Sequence, residues 1–202
     1  MLEVGPDPDQ KKLVYWRVAE LHIACITQGF LATLGPRFLA LMYESIDEGS
    51  ESVLLVSRNG TDVVGFVAGT SGGMGPIYKG MLRRWPALVL ALLPSLVSPR
   101  RVWRILDILR YSGRAARAGD LPMAELLSIG VDGEFRGHGH AAGLYQALCD
   151  YFRKKHVGAF KIVVGGSLDS AHRFYRRMGA HPASQLEVHR GEASTVYLHT
   201  LS

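Results

Sequence analysis

The most informative residues in the sequence are Arg136-Gly137-His138-Gly139-His140-Ala141-Ala142. They follow an apolar, strand-like run at 126–131 and begin a helix-like run that extends from residue 139 to about residue 156. The first turn of a helix carries backbone N–H groups without intrahelical acceptors and lies at the positive end of the helix dipole. Because Gly137 and Gly139 have no Cβ atom, a phosphate can approach the backbone closely. These residues therefore predict a loop that cradles a pyrophosphate.

The spacing of this loop differs from that of two other glycine loops that bind phosphate. It lacks the Lys-Ser/Thr ending of a nucleoside-triphosphate P-loop, and it lacks the third glycine of the dinucleotide-binding fingerprint. Taken alone, the loop is also compatible with a plain tight turn between a strand and a helix. The rest of the C-terminal half favours the phosphate interpretation.

A second motif follows in the C-terminal half, where an apolar run at 160–164 leads through 165–167 into a helix-like run at 169–180. Together the two motifs resemble those of the GNAT superfamily of acyl-CoA-dependent N-acyltransferases. The first signature of that superfamily, Arg/Gln-x-x-Gly-x-Gly/Ala, matches positions 136–141. Its second signature, an alanine followed four residues later by a tyrosine and then by a glycine at the helix end, matches Ala171, Tyr175 and Gly179.

Two positions of the second motif depart from the superfamily pattern. Leu168 stands where an asparagine is usual, and Ala180 stands where an aromatic residue is usual. These departures leave open a second class of function, a GNAT-like module that binds acyl-CoA as a sensor without turning it over. An assay for CoA binding combined with an assay for thiol release would discriminate the two.

The resemblance implies that the protein uses acetyl-CoA as its cosubstrate and transfers the acetyl group directly to an amine. Tyr175 matches the position of the superfamily's general acid. A phenol with a pKa of about 10 is protonated at neutral pH and can hydrogen-bond to or protonate a departing thiolate. The alternative is a core aromatic beside Phe174. The implied cofactor-binding residues include two on the fourth strand, whose backbone would pair with the pantetheine arm. The full set is Ile129, Val131, Arg136, Gly137, His138, Gly139, His140, Ala141, Ala142, Ser170 and Tyr175.

Two residues are candidates for the base that removes the amine proton. Glu125 opens the fourth strand, and period-two alternation places it on the same side as Leu127, Ile129 and Val131. In many members of the superfamily a carboxylate on this strand acts as the base, whereas a plain surface charge at a strand end is the alternative. His22 has an ordinary pKa of about 6.5, which suits a base, although a lone histidine on a helix is more often structural.

The order of elements predicts an α/β fold with a mixed, mostly antiparallel sheet of roughly seven strands, flanked by helices on both sides. A tight hairpin is expected at Asn59-Gly60, and the resemblance implies a sheet that splays between its fourth and fifth strands. The whole chain, 1–202, is expected to be one domain. The predicted strands are 12–17, 53–57, 63–70, 124–131, 160–164, 184–189 and 195–200, and the predicted helices before the insertion are 21–28 and 36–46.

A helical insertion is predicted between the third and fourth strands, at about 74–119. It carries nine basic residues and one acidic residue, whereas the whole chain has a net charge of +5. One interpretation is a helical hairpin with a solvated basic face. A second is a lid over the acceptor site whose arginines bind phosphate on the substrate, and a third is a hairpin at a membrane surface that reaches lipid-linked substrates. The residues assigned to the substrate are Arg100, Arg101 and Arg104, which we call the insertion arginines.

The composition is that of a soluble globular protein, with 48% hydrophobic and 20% charged residues. The polar N-terminus is unlike a signal peptide, so a cytoplasmic location is expected. Cys25 and Cys149 are expected to be reduced thiols, and no metal-ligand spacing is present. The predicted partners are a small-molecule amine, phosphorylated or sugar-like, and a second copy in a homodimer. No nucleic-acid partner is predicted, and contact with a membrane surface is the least favoured interpretation.

Overall fold

The computed structural model describes residues 2–3, 8–27, 30–96, 121–189 and 192–201. The strands are β1 (Leu2–Glu3), β2 (Ser52–Asn59), β3 (Asp62–Thr70), β4 (Glu125–Val131), β5 (Ala159–Gly165), β6 (His181–His189) and β7 (Glu192–Thr200). The helices are α1 (Pro8–Cys25), α2 (Pro36–Asp47), α3 (Gly75–Arg83), α4 (Trp85–Leu96), α5 (His140–Lys154) and α6 (Asp169–Arg177), with short 3-10 turns at Phe30–Leu34 and Gly133–Phe135. The insertion arginines and the rest of the predicted insertion beyond residue 96 lie outside the described residues.

The strands of the described residues form one seven-stranded sheet in the order β1-β2-β3-β4-β5-β7-β6. Neighbouring strands are antiparallel except for β4 and β5, which are parallel. The β4–β5 register contains two residue pairs, Glu125 with Lys161 and Leu126 with Ile162. Beyond these pairs the two strands diverge. The mixed, mostly antiparallel sheet that the sequence predicts is therefore confirmed, and it has the splay that the resemblance implies.

Each side of the sheet buries its own hydrophobic core. Residues that alternate along a strand point to opposite faces, so Leu54 and Val56 of β2 join one core while Val53 and Leu55 join the other. We call the side of the sheet that packs against α1 and α2 the first face, and its core contains the fully buried Phe66. We call the side that packs against α5 the second face.

The prediction of a strand at 12–17 is wrong, because these residues lie inside α1. The short run is rich in β-branched and aromatic residues, which favour a strand, but the buried positions of α1 follow the spacing of a helix over a longer window. They are Val14, Tyr15, Val18, Ala19, Leu21 and His22. The first strand of the sheet is instead Leu2–Glu3, which pairs with β2.

A β-bulge in β4 overturns the expected alternation of its side chains. Ala68 of β3 pairs with Ser128, but the next β3 residue pairs with Leu126, so Leu127 is an extra residue on β4. Ile129 and Val131 belong to the second face. Leu127 packs against the core of the first face, as does Tyr43, the partner of the Ser128 hydroxyl. Leu126 belongs to the second face, so its neighbour Glu125 points to the first face. The expected alternation is therefore right for Leu127 and wrong for Ile129 and Val131.

The described part of the insertion contains two helices, α3 and α4, which agrees with the prediction of a helical insertion between the third and fourth strands. Ile77 and Met81 of α3 are buried in the first-face core. Arg84 forms ion pairs with Glu44 of α2 and with Glu48, the C-cap of that helix. This end of the insertion is thus anchored to α2. In the parts of the chain that the structure describes, no helix is both long enough and apolar enough to cross a bilayer.

Candidate active site

The predicted cradle forms the connection between β4 and α5. After β4 ends, Asp132 begins a 3-10 turn by accepting a hydrogen bond from the backbone N–H of Glu134. Gly137 and Gly139 then adopt φ values of 83° each, a left-handed conformation that glycine adopts at little cost. Gly139 is the N-cap of α5, and no side chain caps the helix there. The first-turn N–H groups of α5 therefore stay available to an anion.

The space around the two glycines fits a phosphate group. A Cβ atom built at Gly137 or at Gly139 would meet no heavy atom within 4 Å. The loop borders an open cavity of about 480 Å³, which extends from the end of β4 to α6. Its lining residues are Val131, Phe135, Arg136, Gly137, Gly139, His140, Ala141, Ala142, Phe174 and Arg177. The residues present therefore fit the pyrophosphate of CoA, which the sequence predicts here.

Two side chains of the loop tie it to the sheet. The Arg136 Nε donates a hydrogen bond to the carbonyl oxygen of Val131 at 3.2 Å, which closes the loop onto the end of β4. The Nδ1 atom of His140 lies 2.8 Å from the hydroxyl oxygen of Ser57 on β2, and the ring meets Phe135 edge-on. Both residues line the cavity, so they fix the shape of the loop and add positive or polar groups beside it.

The cavity includes three residues that the sequence did not predict there, Phe135, Phe174 and Arg177. Arg177, in the last turn of α6, lies with its guanidinium carbon 5.8 Å from the centre of the Phe174 ring. The arginine pair at 176–177, next to the tyrosine of the second motif, is a signal that could have suggested it. His138 and Ser170 are exposed and do not line this cavity, and Ile129 is half-buried on the second face. Their assignment to the cofactor remains a prediction.

Tyr175 is buried on the second face, with 6% of its surface exposed. Its ring packs against Tyr145 and Tyr197 at centroid distances of 6.2 and 6.3 Å. Burial raises the pKa of the Tyr175 hydroxyl well above its ordinary value, because a phenolate is disfavoured away from water. The hydroxyl is therefore protonated at neutral pH. A protonated hydroxyl is the form that a proton donor needs, while the raised pKa makes it a weaker acid than an exposed phenol. The aromatic packing alone also fits a core residue.

Glu125 forms an ion pair with Lys161 of β5, with 3.3 Å between the carboxylate oxygen and the ammonium nitrogen. The side chains before and after Lys161 join the second-face core, so Lys161 and its partner carboxylate lie towards the first face. Burial raises the pKa of Glu125, and the attraction of Lys161 opposes this effect. A carboxylate with a raised pKa is a stronger base than an exposed one.

His22 is buried in the first-face core, with 3% of its surface exposed. Its Nδ1 atom lies 2.6 Å from the hydroxyl oxygen of Tyr43. Burial lowers its pKa to about 4, far from the ordinary value of about 6.5 on which its assignment as a base relied. A histidine this deeply buried does not itself contact an acceptor molecule, so a role in catalysis would have to run through Tyr43.

The structure places the predicted groups at two ends of β4. The cradle follows Val131, where β4 and β5 have separated, whereas Glu125 and Leu126 lie where the two strands still pair. The five residue steps between Leu126 and Val131 span about 17 Å at the usual rise of a strand. An extended ligand held by its phosphates in the cradle could therefore run along β4 towards the paired end. Among the described residues, no cluster of His, Cys, Asp and Glu could hold a metal ion.

Residues 16–180 match the model of the acetyltransferase (GNAT) family. No sequence among the curated proteins matches the chain. Solved structures, among them the two that follow, resemble it over nearly their full length. The N-acetyltransferase from Staphylococcus aureus Mu50 is 14% identical with a TM-score of 0.59, covering 95% of this chain and 94% of its own. Ard1 from Thermoplasma volcanium is 15% identical with a TM-score of 0.58, covering 100% of this chain and 96% of its own.

A third similar structure was solved with acetyl coenzyme A. It is a Bacillus anthracis protein described as a streptothricin acetyltransferase, which is 10% identical with a TM-score of 0.52. The similarity covers 79% of this chain and 68% of that one. At these identities the likeness shows that the fold is shared, while the family model covers most of the chain.

Proposed function

We propose that this chain, which belongs to the GNAT acetyltransferase family and is an acyl-CoA-dependent acetyltransferase, acetylates a primary amine of a small, phosphorylated or sugar-like molecule. The observation that carries the proposal is the uncapped N-terminus of α5 behind two glycines with positive φ. This loop offers backbone N–H groups to the pyrophosphate of acetyl-CoA, which supplies the activated acetyl group. Arg136, His140 and Arg177 would add favourable contacts to the same phosphates.

The two proposed catalytic side chains lie on opposite faces of the sheet. Glu125, towards the first face, would accept the proton of the amine as the amine nitrogen bonds to the acetyl carbon. Tyr175, on the second face, would donate a proton to the sulfur, which leaves with the electron pair of the broken C–S bond. Two groups with such different environments can serve as base and acid in one step of direct transfer.

The phosphorylated character of the acceptor is inferred from charge. The insertion begins immediately after β3, which pairs with β4, and its basic residues far outnumber its acidic ones. Arginine binds phosphate with two parallel hydrogen bonds. The insertion arginines would thus attract an anionic acceptor. An amine, as opposed to a hydroxyl or a thiol, is favoured by the likeness of the fold to that of the S. aureus N-acetyltransferase.

Three matched compounds test this proposal: glucosamine 6-phosphate, glucosamine and glucose 6-phosphate. Thiol release from acetyl-CoA would be followed with a thiol reagent, and the product would be identified by mass spectrometry. We expect turnover of glucosamine 6-phosphate, a higher KM for glucosamine, and no turnover of glucose 6-phosphate, which lacks the amine. A wider panel would add phosphoethanolamine, ethanolamine and a peptide with a free N-terminus.

The outcomes separate the competing functions. Acetylation of the hydroxyl compound at the rate of the amines would refute the amine acceptor, and equal KM values with and without phosphate would refute the phosphate preference. Tight binding of acetyl-CoA in calorimetry, with no release of its thiol in the presence of any of the compounds, would favour a sensor that binds acyl-CoA without turning it over. Binding to anionic vesicles would favour a membrane-surface enzyme with a lipid-linked acceptor.

A further inference from the structure

A buried chain of hydrogen bonds crosses the first face from α1 to β4. The Nδ1 atom of His22 lies 2.6 Å from the hydroxyl oxygen of Tyr43, which in turn lies 3.0 Å from the hydroxyl oxygen of Ser128. Tyr43 is fully buried and His22 nearly so, whereas Ser128 is half-buried. Ser128 is therefore the member of the chain that an external molecule can reach.

Ser128 lies near the end of β4 that pairs with β5, where Glu125 would accept the amine proton. It is adjacent to the bulge residue Leu127 and just beyond Leu126, the last residue of β4 that pairs with β5. Its hydroxyl points towards the first face, as does the carboxylate of Glu125. An acceptor amine that approaches Glu125 from this face would therefore pass close to Ser128.

The chemistry of the three groups sets the direction of the chain. A phenol is a stronger acid than an alcohol, and an imidazole nitrogen is a stronger acceptor than a phenolic oxygen. The short contact between Tyr43 and His22 is therefore best formed with the Tyr43 O–H donating to Nδ1. The Tyr43 oxygen then accepts from the Ser128 O–H, and the lone pairs of Ser128 point outwards.

This direction also fixes the tautomer of His22. Its Nε2 atom is buried and has no hydrogen-bond partner among the described residues. Because burial keeps the ring neutral, it carries a single proton, and an accepting Nδ1 places that proton on Nε2. The ring is held by Phe66, which stacks on it with a centroid distance of 6.3 Å. A Cβ atom at Gly130 would lie 2.8 Å from Phe66, so the glycine on β4 permits this packing.

We propose that Ser128 is a catalytic residue that accepts a hydrogen bond from the acceptor's amine N–H, with Tyr43 and His22 as positioning residues that fix its direction. The inference rests on the proposed function. Holding one N–H at Ser128 turns the nitrogen lone pair towards the acetyl carbon. The O–H and N–H bonds of Ser128, Tyr43 and His22 stay intact, because the amine proton moves to Glu125. These three side chains therefore remain neutral throughout.

The first test examines the hydrogen-bond chain from His22 to Ser128 in the protein without any ligand. In the folded protein, the ¹⁵N resonances of the His22 ring, assigned with a His22→Asn variant, report which nitrogen carries the proton. We expect the proton on Nε2 and an accepting Nδ1 whose chemical shift changes in Tyr43→Phe. A proton on Nδ1 would mean that the chain runs in the opposite direction and would overturn the proposal.

The second test uses the kinetics of the amine that the panel shows to be turned over fastest. Ser128→Ala and Tyr43→Phe should each lower kcat/KM for the amine by about tenfold, the value of one hydrogen bond, while KM for acetyl-CoA is unchanged. The double variant should fall no further, because both changes remove the same interaction. His22→Leu should show the same loss, and His22→Asn should restore activity because its amide oxygen can accept from Tyr43.

The control is Ser45→Ala, which removes another buried hydroxyl on α2 that donates to the carbonyl oxygen of Leu41. It should leave kcat/KM unchanged. Additive losses in the double variant, or wild-type kinetics in Ser128→Ala, would overturn the inference while acetyl transfer to amines still stands. An enzyme that turns over no amine would overturn the proposed function and the inference together.

Discussion

The buried His22 makes the stability of the protein depend on pH in a defined window. Its pKa in the folded protein is lowered to about 4 by burial, whereas an unfolded chain returns it to about 6.5. Between these values the unfolded state binds a proton that the folded state does not. Stability from the neutral ring is therefore fully present above pH 6.5 and is lost as the pH falls towards 4.

The size of this effect follows from the two pKa values. Between pH 7 and pH 5, the linkage relation gives a loss of about 2 kcal/mol in the free energy of unfolding from His22 alone. Other groups also titrate in this range, so the quantity to compare is the pH dependence of the wild type and of His22→Asn. The asparagine can still accept a hydrogen bond from Tyr43 but does not titrate.

The assay is urea unfolding at pH 7 and pH 5, with the free energies obtained by linear extrapolation. The wild type should lose about 2 kcal/mol more than His22→Asn over this interval. Val18→Ala serves as the control, because it removes a fully buried side chain from the same helix and core without a titrating group. It should lower stability equally at both pH values. An identical pH dependence in the wild type and His22→Asn would refute the reasoning.

Three further predictions concern binding and catalysis. Gly139→Val should abolish acetyl-CoA binding in calorimetry, because a branched side chain would fill the open space of the cradle at a φ of 83°. Tyr175→Phe should lower kcat by roughly tenfold to ten-thousandfold with KM for acetyl-CoA nearly unchanged. Replacing the insertion arginines with glutamine should raise KM for an anionic acceptor and flatten its salt dependence, without changing acetyl-CoA affinity.

Each of these predictions has a control. Gly60→Val places the same side chain at another open position with positive φ, in the turn between β2 and β3, and should reduce stability while acetyl-CoA still binds. A wild-type rate in Tyr175→Phe would show that the tyrosine is structural. If the arginine variant loses acetyl-CoA affinity with unchanged acceptor kinetics, the insertion arginines serve the cofactor's phosphates.

Much of the fold could be predicted because its signals are local. The Asn59-Gly60 turn specified the β2–β3 hairpin. Apolar spacing predicts Leu144, Leu148, Tyr151 and Phe152 on the buried face of α5, and all are buried there except Tyr151, which is half-buried. The cradle was also local, since two glycines at a strand-to-helix junction fix both the backbone conformation and the exposed N–H groups. The strand predicted at 12–17 failed because a six-residue window cannot show the helical spacing that burial against α2 and β3 imposes.

The sequence by itself determined the family motifs, the order of most elements and the loop that would hold a pyrophosphate. The tertiary structure alone decided the bulge at Leu127, the position of Arg177 beside the cavity and the hydrogen bonds among His22, Tyr43 and Ser128. Tyr43 and Ser128 are 85 residues apart in the sequence, and no local pattern links them. Long-range packing also sets the pKa values, because a residue type fixes the ordinary pKa while burial and charged neighbours decide its direction of change.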